Sequence, residues 1–410
     1  MSHFGSRVVA ALGIAALIGV ALALSRNRRR FPFRVVAWGL GLQLLLGLVL
    51  LRSAPGRRLF TAVNAAVAGI VAYTDEGVRF VFGPLREAGF SFALGVLPVI
   101  VFMGALFGML YHLGVVQAVV RVMARGLERT MGTSGAESLS TVAEVFLGMT
   151  EAPLLVRPYL ERMTESELFT VMTAGMATVA GSVLIAYAHM LGGEFGGHLV
   201  TASLLSAPAA ILVSKVMIPE TEKPETLGRA GVLVPRTTVN LIDAAAEGGL
   251  AGLRLAAFVG ALLVAFVALV ALANDLAGWV GGLVGAPDLT LQRILGLAFA
   301  PLAWLMGIPW SEAREVGALL GVKTVLNEFL AYRELAALVE REAISARSAV
   351  VASYALCGFA NFGSIAILIG GVGGIAPSRR RDLARLGPRA ILAGTLATCM
   401  AACVANLLLP

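Results

Sequence analysis

The sequence predicts an all-α integral membrane protein with eight transmembrane helices, an interfacial helix and two re-entrant hairpins in an inverted repeat. Of its 410 residues, 58% are hydrophobic and 14% are charged, whereas soluble domains carry roughly 25% charged residues. The mean hydropathy is +0.86, and several apolar runs reach the roughly 20 residues that cross a bilayer as a helix. Other apolar segments are interrupted by polar residues in corresponding halves of the chain, which is typical of secondary transporters.

The basic residues lie mainly in short loops between apolar segments. They include two arginine clusters, Arg26, Arg28, Arg29, Arg30 and Arg379, Arg380, Arg381. Basic loops of this kind stay in the cytoplasm, so their positions indicate the orientation of the protein in the membrane. They also account for the net charge of +7, and no nucleic-acid partner is expected. The run Val8–Leu24 is too long for a signal-peptide core and is predicted to remain as span one, with its N-terminus outside. We therefore expect a multi-pass protein of the bacterial plasma (inner) membrane, surrounded by membrane lipid.

The predicted spans are the apolar runs of membrane length, taken in chain order. They cover residues 7–25, 35–51, 93–112, 166–190, 199–218, 251–273, 348–371 and 388–408. Residues 57–90 are less apolar and suit a helix lying along the membrane surface. Residues 134–160 and 290–337 each contain two half-segments with a polar break, and they are predicted to form the first and the second re-entrant hairpin.

These elements divide the chain into four segments. Residues 1–92 hold the N-terminal spans and the interfacial helix, on the scaffold side. Residues 93–220 hold span three, the first hairpin, interrupted span four and span five. Residues 221–250 form a cytoplasmic loop and an amphipathic lead-in, and residues 251–410 hold span six, the second hairpin, interrupted span seven and span eight.

Both halves of the chain contain a hairpin with an acidic break, followed by an interrupted span. The matching positions are Thr150 and Glu151 with Gly181 and Ser182 in the first half, and Asn327 and Glu328 with Gly363 and Ser364 in the second. The first hairpin enters from the inside and the second from the outside, so the two units are inverted. Paired interruptions of this kind indicate a binding site near the middle of the membrane.

Glu151 and Glu328 are the main candidates for contact with a substrate. A carboxylate inside a span is costly and marks a substrate or ion site; the alternative is a structural acid paired with an arginine or a helix end. Carboxylates accept hydrogen bonds, so the two acids suit a neutral solute that is rich in hydroxyl groups.

Other side chains lie at the same breaks. Thr150, Asn327, Asn361 and Ser364 either contact the substrate or cap a half-helix. Phe359 either stacks on a ring of the substrate or packs in the protein interior. As a set converging on two acids, the polar side chains favour a binding site.

Glu144 is a third acid, one helical turn before Gly148. In its protonated form it sits in the membrane at little cost, whereas its ionised form needs a cation. It therefore serves either ion or proton coupling, or it forms a pair with a basic neighbour. Thr178 and the carbonyls of interrupted span four complete an oxygen cage that suits Na⁺.

The sequence offers little for an enzyme. The four histidines lack metal-ligand spacing, and no Ser/His/Asp arrangement is placed for nucleophilic catalysis. No cofactor is predicted. A membrane-embedded enzyme with Glu151 and Glu328 as an acid/base pair, and a passive channel, are the alternatives to a transporter.

Four motifs, in this order, resemble those of the concentrative nucleoside transporters. They are GMTEAPLLV (148–156), ATVAGSVLIAY (177–187), ALLGVKTVLNEF (318–329) and CGFANFGSIAILIGG (357–371). The resemblance covers about residues 90–408 and implies eight spans, an interfacial helix and two re-entrant hairpins in a homotrimer. It also implies a symporter that imports nucleosides with Na⁺ or H⁺ by an elevator movement of a transport unit against a trimeric scaffold.

The resemblance also implies roles for individual residues. The base side of the substrate site maps to Met149, Thr150, Glu151, Val183 and Phe359. The ribose side maps to Glu328, Asn361 and Ser364. The coupling site for Na⁺ or H⁺ is predicted at Glu144, Leu147, Thr178 and Val179, with Glu144 and Thr178 as ligands if the cation is Na⁺.

Two positions depart from the family pattern. The family usually has Gln where this chain has Met149, and a thioether cannot donate a hydrogen bond to a base carbonyl. A transporter of nucleobases or modified nucleosides is therefore the alternative reading. Sodium-coupled members carry Asn at the position of Glu144 and Ser at that of Thr178. We favour proton coupling over Na⁺ coupling, because a carboxyl group in a span can exchange protons near neutral pH.

Overall fold

The computed structural model describes residues 3–86, 92–228, 238–283, 285–286 and 288–410. Within these ranges the protein consists of α-helices joined by short turns and 3-10 helices, with no strand beyond one isolated bridge. The α-helices are α1 (His3–Ala23), α2 (Phe33–Arg52), α3 (Ala54–Phe82), α4 (Phe92–Gly95), α5 (Leu97–His112), α6 (Val115–Met131), α7 (Gly135–Ala143), α8 (Arg157–Leu160), α9 (Glu165–Ala177), α10 (Gly181–Leu191), α11 (Gly196–Met217), α12 (Leu241–Leu283), α13 (Leu291–Leu305), α14 (Trp310–Val325), α15 (Glu328–Glu340), α16 (Ala346–Leu356), α17 (Phe362–Ile375) and α18 (Arg380–Leu408). The predicted all-α membrane fold is confirmed.

Seven helical segments in the described part of the chain are long and apolar enough to cross a membrane. They are Phe4–Ala23, Phe33–Arg52, Phe92–His112, Glu165–Leu191, Gly193–Met217, Leu241–Leu283 and Pro377–Leu408. The seventh predicted span, 348–371, is divided between α16 and α17, which are too short to meet that length separately. The number of spans and the re-entrant character of the hairpins stay predictions.

Two predicted boundaries differ in the structure. The amphipathic lead-in and span six form one continuous helix, α12, of 43 residues. The second hairpin consists of α14 and α15, whereas α13 precedes it and is bent by 116° from α14. Helix α3 lies in the predicted interfacial segment and ends at Phe82. Residues 87–90 of that segment lie outside the described residues, as do residues 229–235 of the predicted loop.

The helices form a buried inner group and a more exposed outer group. In their most apolar stretches, the spans that contain α9–α10, α11 and α18 are 83–89% buried, whereas α12 is 11% buried. Helices α1 and α2 pack against α11 and α18, and α5 packs along α12. The division into four segments stays a prediction. The interrupted segments lie within or against the inner group.

Glycines allow α5 and α12 to approach backbone to backbone. A Cβ atom on Gly252 would lie 2.7 Å from the Ile100 carbonyl oxygen, and one on Gly248 would lie 3.0 Å from the carbonyl carbon of Gly104. Small residues permit this close packing between membrane helices, where dispersion contacts replace the hydrophobic effect.

We predict that Gly248→Ala destabilises the protein, because the added methyl group meets the Gly104 backbone, which cannot rotate away. Overpacking of this kind costs about 1–3 kcal/mol. Gly249→Ala is the matched control, since its Cβ would lie 3.7 Å from the nearest atom, the Ala105 Cβ. Thermal unfolding of the purified variants in detergent measures the difference. Equal melting temperatures would contradict the close packing.

Candidate functional site

The first hairpin has a non-helical tip between α7 and the 3-10 helix Ala152–Val156. Ser134 and Glu137 form a capping box that starts α7, and the helix ends at Ala143. Gly148 then accepts backbone hydrogen bonds from Glu151 at 3.1 Å and from Ala152 at 3.0 Å through its carbonyl oxygen. The tip therefore reverses the chain around Gly148, as the glycine and the following proline predict.

Span four is interrupted between α9 and α10. Thr178 has an extended backbone at the end of α9, and α10 begins at Gly181. The Phe107 ring of α5 lies against Gly181, where an added Cβ would be 2.5 Å from the ring. The N-terminus of α10 has no side-chain cap. The Gly181 N–H instead donates to the Phe146 carbonyl oxygen at 3.2 Å, and the Val183 N–H donates to the Ala180 carbonyl oxygen at 2.9 Å. Backbone hydrogen bonds therefore hold this break against the first hairpin.

The breaks of the second half are capped by asparagines. Asn327 caps α15 by accepting a hydrogen bond from the Leu330 N–H at 2.9 Å. Asn361 caps α17 in the same way through the Ser364 N–H at 2.9 Å. Each cap satisfies a backbone donor that would otherwise stay unpaired inside the protein. Glu328, the first residue of α15, lies directly after its cap.

The Glu328 carboxylate joins the two halves of the inverted repeat. It is 4% exposed. Its Oε1 atom accepts a hydrogen bond from the Tyr187 hydroxyl of α10 at 2.9 Å, and its Oε2 atom accepts one from the Asn361 amide at 3.0 Å. The Asn361 amide oxygen in turn accepts a bond from the Ser364 hydroxyl at 3.1 Å. The structure thus brings the three predicted ribose-side residues together.

Tyr187 belongs to this site but was not predicted from the sequence. Its ring stacks on Tyr332 at 4.3 Å and meets the edge of Phe329 at 4.7 Å, measured between ring centroids. Tyr332 is itself fixed by a hydrogen bond to the Ser353 carbonyl oxygen at 2.7 Å. The sequence signal for Tyr187 was a tyrosine within an apolar half-helix. Tyrosine is common at the membrane surface, so its hydroxyl group inside a span indicates a polar partner.

Glu144 lies in a buried position beside α9. It is 2% exposed, and its Oε1 atom accepts no hydrogen bond from the described residues. Gly175 of α9 lies beside it, since a Cβ atom built there would be in ordinary van der Waals contact with that oxygen, at 3.5 Å. An ionised carboxylate with an unpaired buried oxygen is costly, so a proton or a cation would stabilise it.

The end of α9 supplies further oxygen atoms near the predicted coupling site. The Thr178 hydroxyl donates to the Ala174 carbonyl at 2.8 Å, which leaves its lone pairs for a cation. The last carbonyls of a helix also favour positive charge. Val179 is fully buried, and Leu147 is partly buried. The oxygen atoms at the end of α9 suit Na⁺, and the Glu144 carboxyl group equally suits a proton.

The predicted base-side residues are in different environments. Met149 is 5% exposed and packs against Gly175, where an added Cβ would lie 3.1 Å from the Met149 Cβ. Thr150 packs on α17, and a Cβ at Gly371 would lie 2.6 Å from its methyl carbon. Glu151 is exposed, whereas Val183 is buried and Phe359 is half-buried. The first hairpin thus contacts the interrupted span of the second half through Thr150.

Known protein families match nearly the whole chain. The N-terminal part of the Na⁺-dependent nucleoside transporters matches residues 12–85, a nucleoside recognition (Gate) family matches residues 93–194, and the C-terminal part of the Na⁺-dependent nucleoside transporters matches residues 198–406. The uncharacterized transporter YutK of Bacillus subtilis is 45% identical over 399 residues, which is 97% of this chain and 98% of YutK. The chain belongs to the concentrative nucleoside transporter family. The resemblance inferred from the four motifs is confirmed.

Mammalian relatives and solved structures agree with this identification. Solute carrier family 28 member 3 of Mus musculus is 42% identical over 97% of this transporter, which spans 58% of that protein. The structure of CNTnw in an inward-facing substrate-bound state has a TM-score of 0.91 and 44% identity, with 98% of both chains covered. A doubly substituted CNTnw in an outward-facing state has a TM-score of 0.92. The protein is a multi-pass membrane transporter and not an enzyme.

We predict that Tyr187→Phe weakens nucleoside binding, because it removes the hydroxyl that orients Glu328 and keeps the stacked ring. A hydrogen bond to a charged group contributes about 1.5–3 kcal/mol, or roughly tenfold or more in affinity. Tyr354→Phe is the control, since this buried hydroxyl lies near His198, at 3.3 Å from Nδ1. Equilibrium binding of labelled nucleoside to the purified variants tests the prediction. An affinity of Tyr187→Phe equal to that of Tyr354→Phe would contradict it.

Proposed function

We propose that the protein imports nucleosides across the plasma membrane of a bacterium, in symport with a cation. The observation that carries this proposal is the Glu328 carboxylate, which is buried at a helix break and oriented by Tyr187 and Asn361. An oriented acceptor at this depth suits the hydroxyl donors of a neutral sugar. Family membership supports the same substrate class.

Glu328, Asn361 and Ser364 are proposed to contact the ribose. Each Glu328 oxygen uses one lone pair on a protein donor, and a carboxylate has about four such acceptor sites. The remaining lone pairs are available to the vicinal hydroxyls of a ribose. This arrangement distinguishes ribose from deoxyribose, because a missing hydroxyl leaves a buried acceptor unpaired.

The residues proposed to form the base side are Met149, Thr150, Glu151, Val183 and Phe359. Glu151 is exposed, which keeps its carboxylate available to base N–H donors. Met149 is buried, with its Cβ beside Gly175, and a thioether donates no hydrogen bond to a base. This burial supports a base preference that differs from relatives with Gln at this position, and it keeps nucleobases or modified nucleosides as the alternative substrates.

Glu144 is proposed to couple transport to a cation. Its unpaired Oε1 atom requires a proton or a metal ion when the site is closed to water, and the α9 carbonyls favour positive charge. We propose that the coupling cation is H⁺, with Glu144 as the proton carrier. If the cation is Na⁺, Leu147, Thr178 and Val179 complete the site with their oxygen atoms.

The family resemblance supports a homotrimer in which each protomer moves its own substrate by an elevator movement. Helix α12 would span about 65 Å at 1.5 Å per residue, more than twice the roughly 30 Å hydrocarbon core. Its exposed side chains include Phe258, Leu269, Leu272 and Trp279. Such a long apolar helix, paired closely with α5, suits a scaffold that faces lipid and neighbouring protomers.

We predict that Glu328→Gln reduces nucleoside uptake roughly ten- to a hundredfold, because a neutral amide replaces a charged acceptor. Glu340→Gln on the exposed end of the same helix is the control. Uptake of labelled uridine and adenosine into proteoliposomes measures the change, and size-exclusion chromatography with light scattering checks the trimer. Undiminished uptake would show that Glu328 does not bind the ribose.

We also predict that Glu144→Gln abolishes accumulation driven by an inward proton gradient but retains nucleoside exchange at equal concentrations. The amide cannot carry a proton, so the bound nucleoside is no longer linked to proton movement. Proteoliposomes with pH and Na⁺ gradients imposed separately test this prediction. Accumulation by the wild type in a Na⁺ gradient alone would assign the site to Na⁺ instead.

A further inference from the structure

Lys323 is a lysine that lies entirely inside the protein, beside the break of the second hairpin. It is in the last turn of α14, and none of its surface is exposed. Its ammonium group donates hydrogen bonds to the Ala355 carbonyl oxygen at 2.8 Å and to the Thr398 hydroxyl at 3.2 Å. An ammonium group is costly to bury in a membrane protein and usually has a functional reason.

The Ala355 carbonyl marks the point at which span seven breaks. It lies in the last turn of α16, which ends at Leu356. The final carbonyls of a helix lack partners within the helix and carry its negative end. A buried cation is therefore well matched to this carbonyl. Lys323 fixes the end of α16 before the chain turns away from the helix.

The other side of the same break is fixed by Glu328. Asn361 caps the start of α17 after the break, and its amide donates to the Glu328 carboxylate at 3.0 Å. Lys323 and Glu328 flank the non-helical residues of the second hairpin, Leu326 and Asn327. One hairpin tip therefore contacts span seven before and after its break, with a cation on one side and an anion on the other.

The two buried charged residues also lie on the same hairpin tip, on either side of its non-helical residues. Both side chains are buried, since Lys323 is 0% and Glu328 is 4% exposed. Opposite charges attract more strongly where water is excluded. The positive charge thus offsets the negative charge of Glu328 without occupying its oxygens, which are bound by Tyr187 and Asn361.

We propose that Lys323 is a positioning residue for the ribose: it holds the end of α16 so that Asn361 reaches Glu328, and it balances the Glu328 charge. The proposal rests on the function proposed above, in which Glu328 and Asn361 contact the ribose. It assigns Lys323 no contact with the nucleoside. Its removal therefore affects recognition of the sugar hydroxyls and spares recognition of the base.

The test is Lys323→Met, which keeps an unbranched side chain and removes the charge and the donors. The KM is measured in proteoliposomes for the better transported of uridine and adenosine and for its 2′,3′-dideoxy analogue. We expect the wild type to prefer the ribonucleoside. In the variant we expect the KM for the ribonucleoside to rise roughly tenfold or more and the KM for the dideoxy analogue to change little. The preference for the ribonucleoside over the dideoxy analogue should therefore be lost. The preference between uridine and adenosine should persist.

Lys215→Met is the matched control for loss of a buried lysine. Lys215 is 4% exposed and pairs with Glu137 at 2.7 Å, at the opposite end of α9 from the break in span four. We expect this variant to unfold at a lower temperature and to keep the preference for ribose. If Lys323→Met does not fold, Thr398→Val removes one of the two Lys323 acceptors, and a partial loss of the same preference is expected.

The outcomes separate the two proposals. A wild type without preference for the ribonucleoside would overturn the ribose assignment of Glu328, and the role of Lys323 with it. If the wild type prefers the ribonucleoside and Lys323→Met keeps that preference, the Lys323 proposal alone is overturned. If Lys323→Met does not fold, the same conclusion follows when Thr398→Val keeps the preference. An equal loss of preference in Lys215→Met would assign the effect to general destabilisation and would also overturn it.

Discussion

The hydrogen bonds of Glu328 to Tyr187 and Asn361 connect three segments that are far apart in the sequence. They join α10 of the first half, the second hairpin and the break of span seven. Each of these segments ends a helix inside the protein, where an unpaired polar group is costly. The contacts of Glu328 therefore fix the relative position of the two halves of the repeat, and the other features of the site depend on that position.

The two halves of the site are built differently despite their shared pattern. Asn327 and Asn361 cap α15 and α17 with their side chains, whereas α10 begins at Gly181 without a side-chain cap. The acids differ in the same way, since Glu328 is bonded on both oxygens and Glu144 has an unpaired one. The second half is preorganised by its own side chains. The first half leaves the Glu144 Oε1 atom unpaired among the described residues, which suits a cation.

The sequence predicted where the site lies better than how its side chains are oriented. Acids beside glycine, proline and asparagine reveal a broken helix, because these residue types have strong local preferences. Local preferences do not say which way a side chain points after the break. Met149 and Glu151, both predicted on the base side, lie in different environments, since Met149 is buried beside Gly175 of α9 and Glu151 is exposed. Tyr187 and the partners of Lys323 were missed because their contacts join residues 32 to 141 positions apart.

The contact between Phe107 of α5 and Gly181 has a consequence for the rate of transport. In the proposed elevator movement the interrupted span would travel along α5, so the ring would leave the glycine backbone before the span advances. Burial of a whole phenylalanine side chain contributes about 1.5–3 kcal/mol, and a part of this must be given up at each departure. On that proposal, the Phe107 contact lengthens the time that the transport unit spends at one end of its travel.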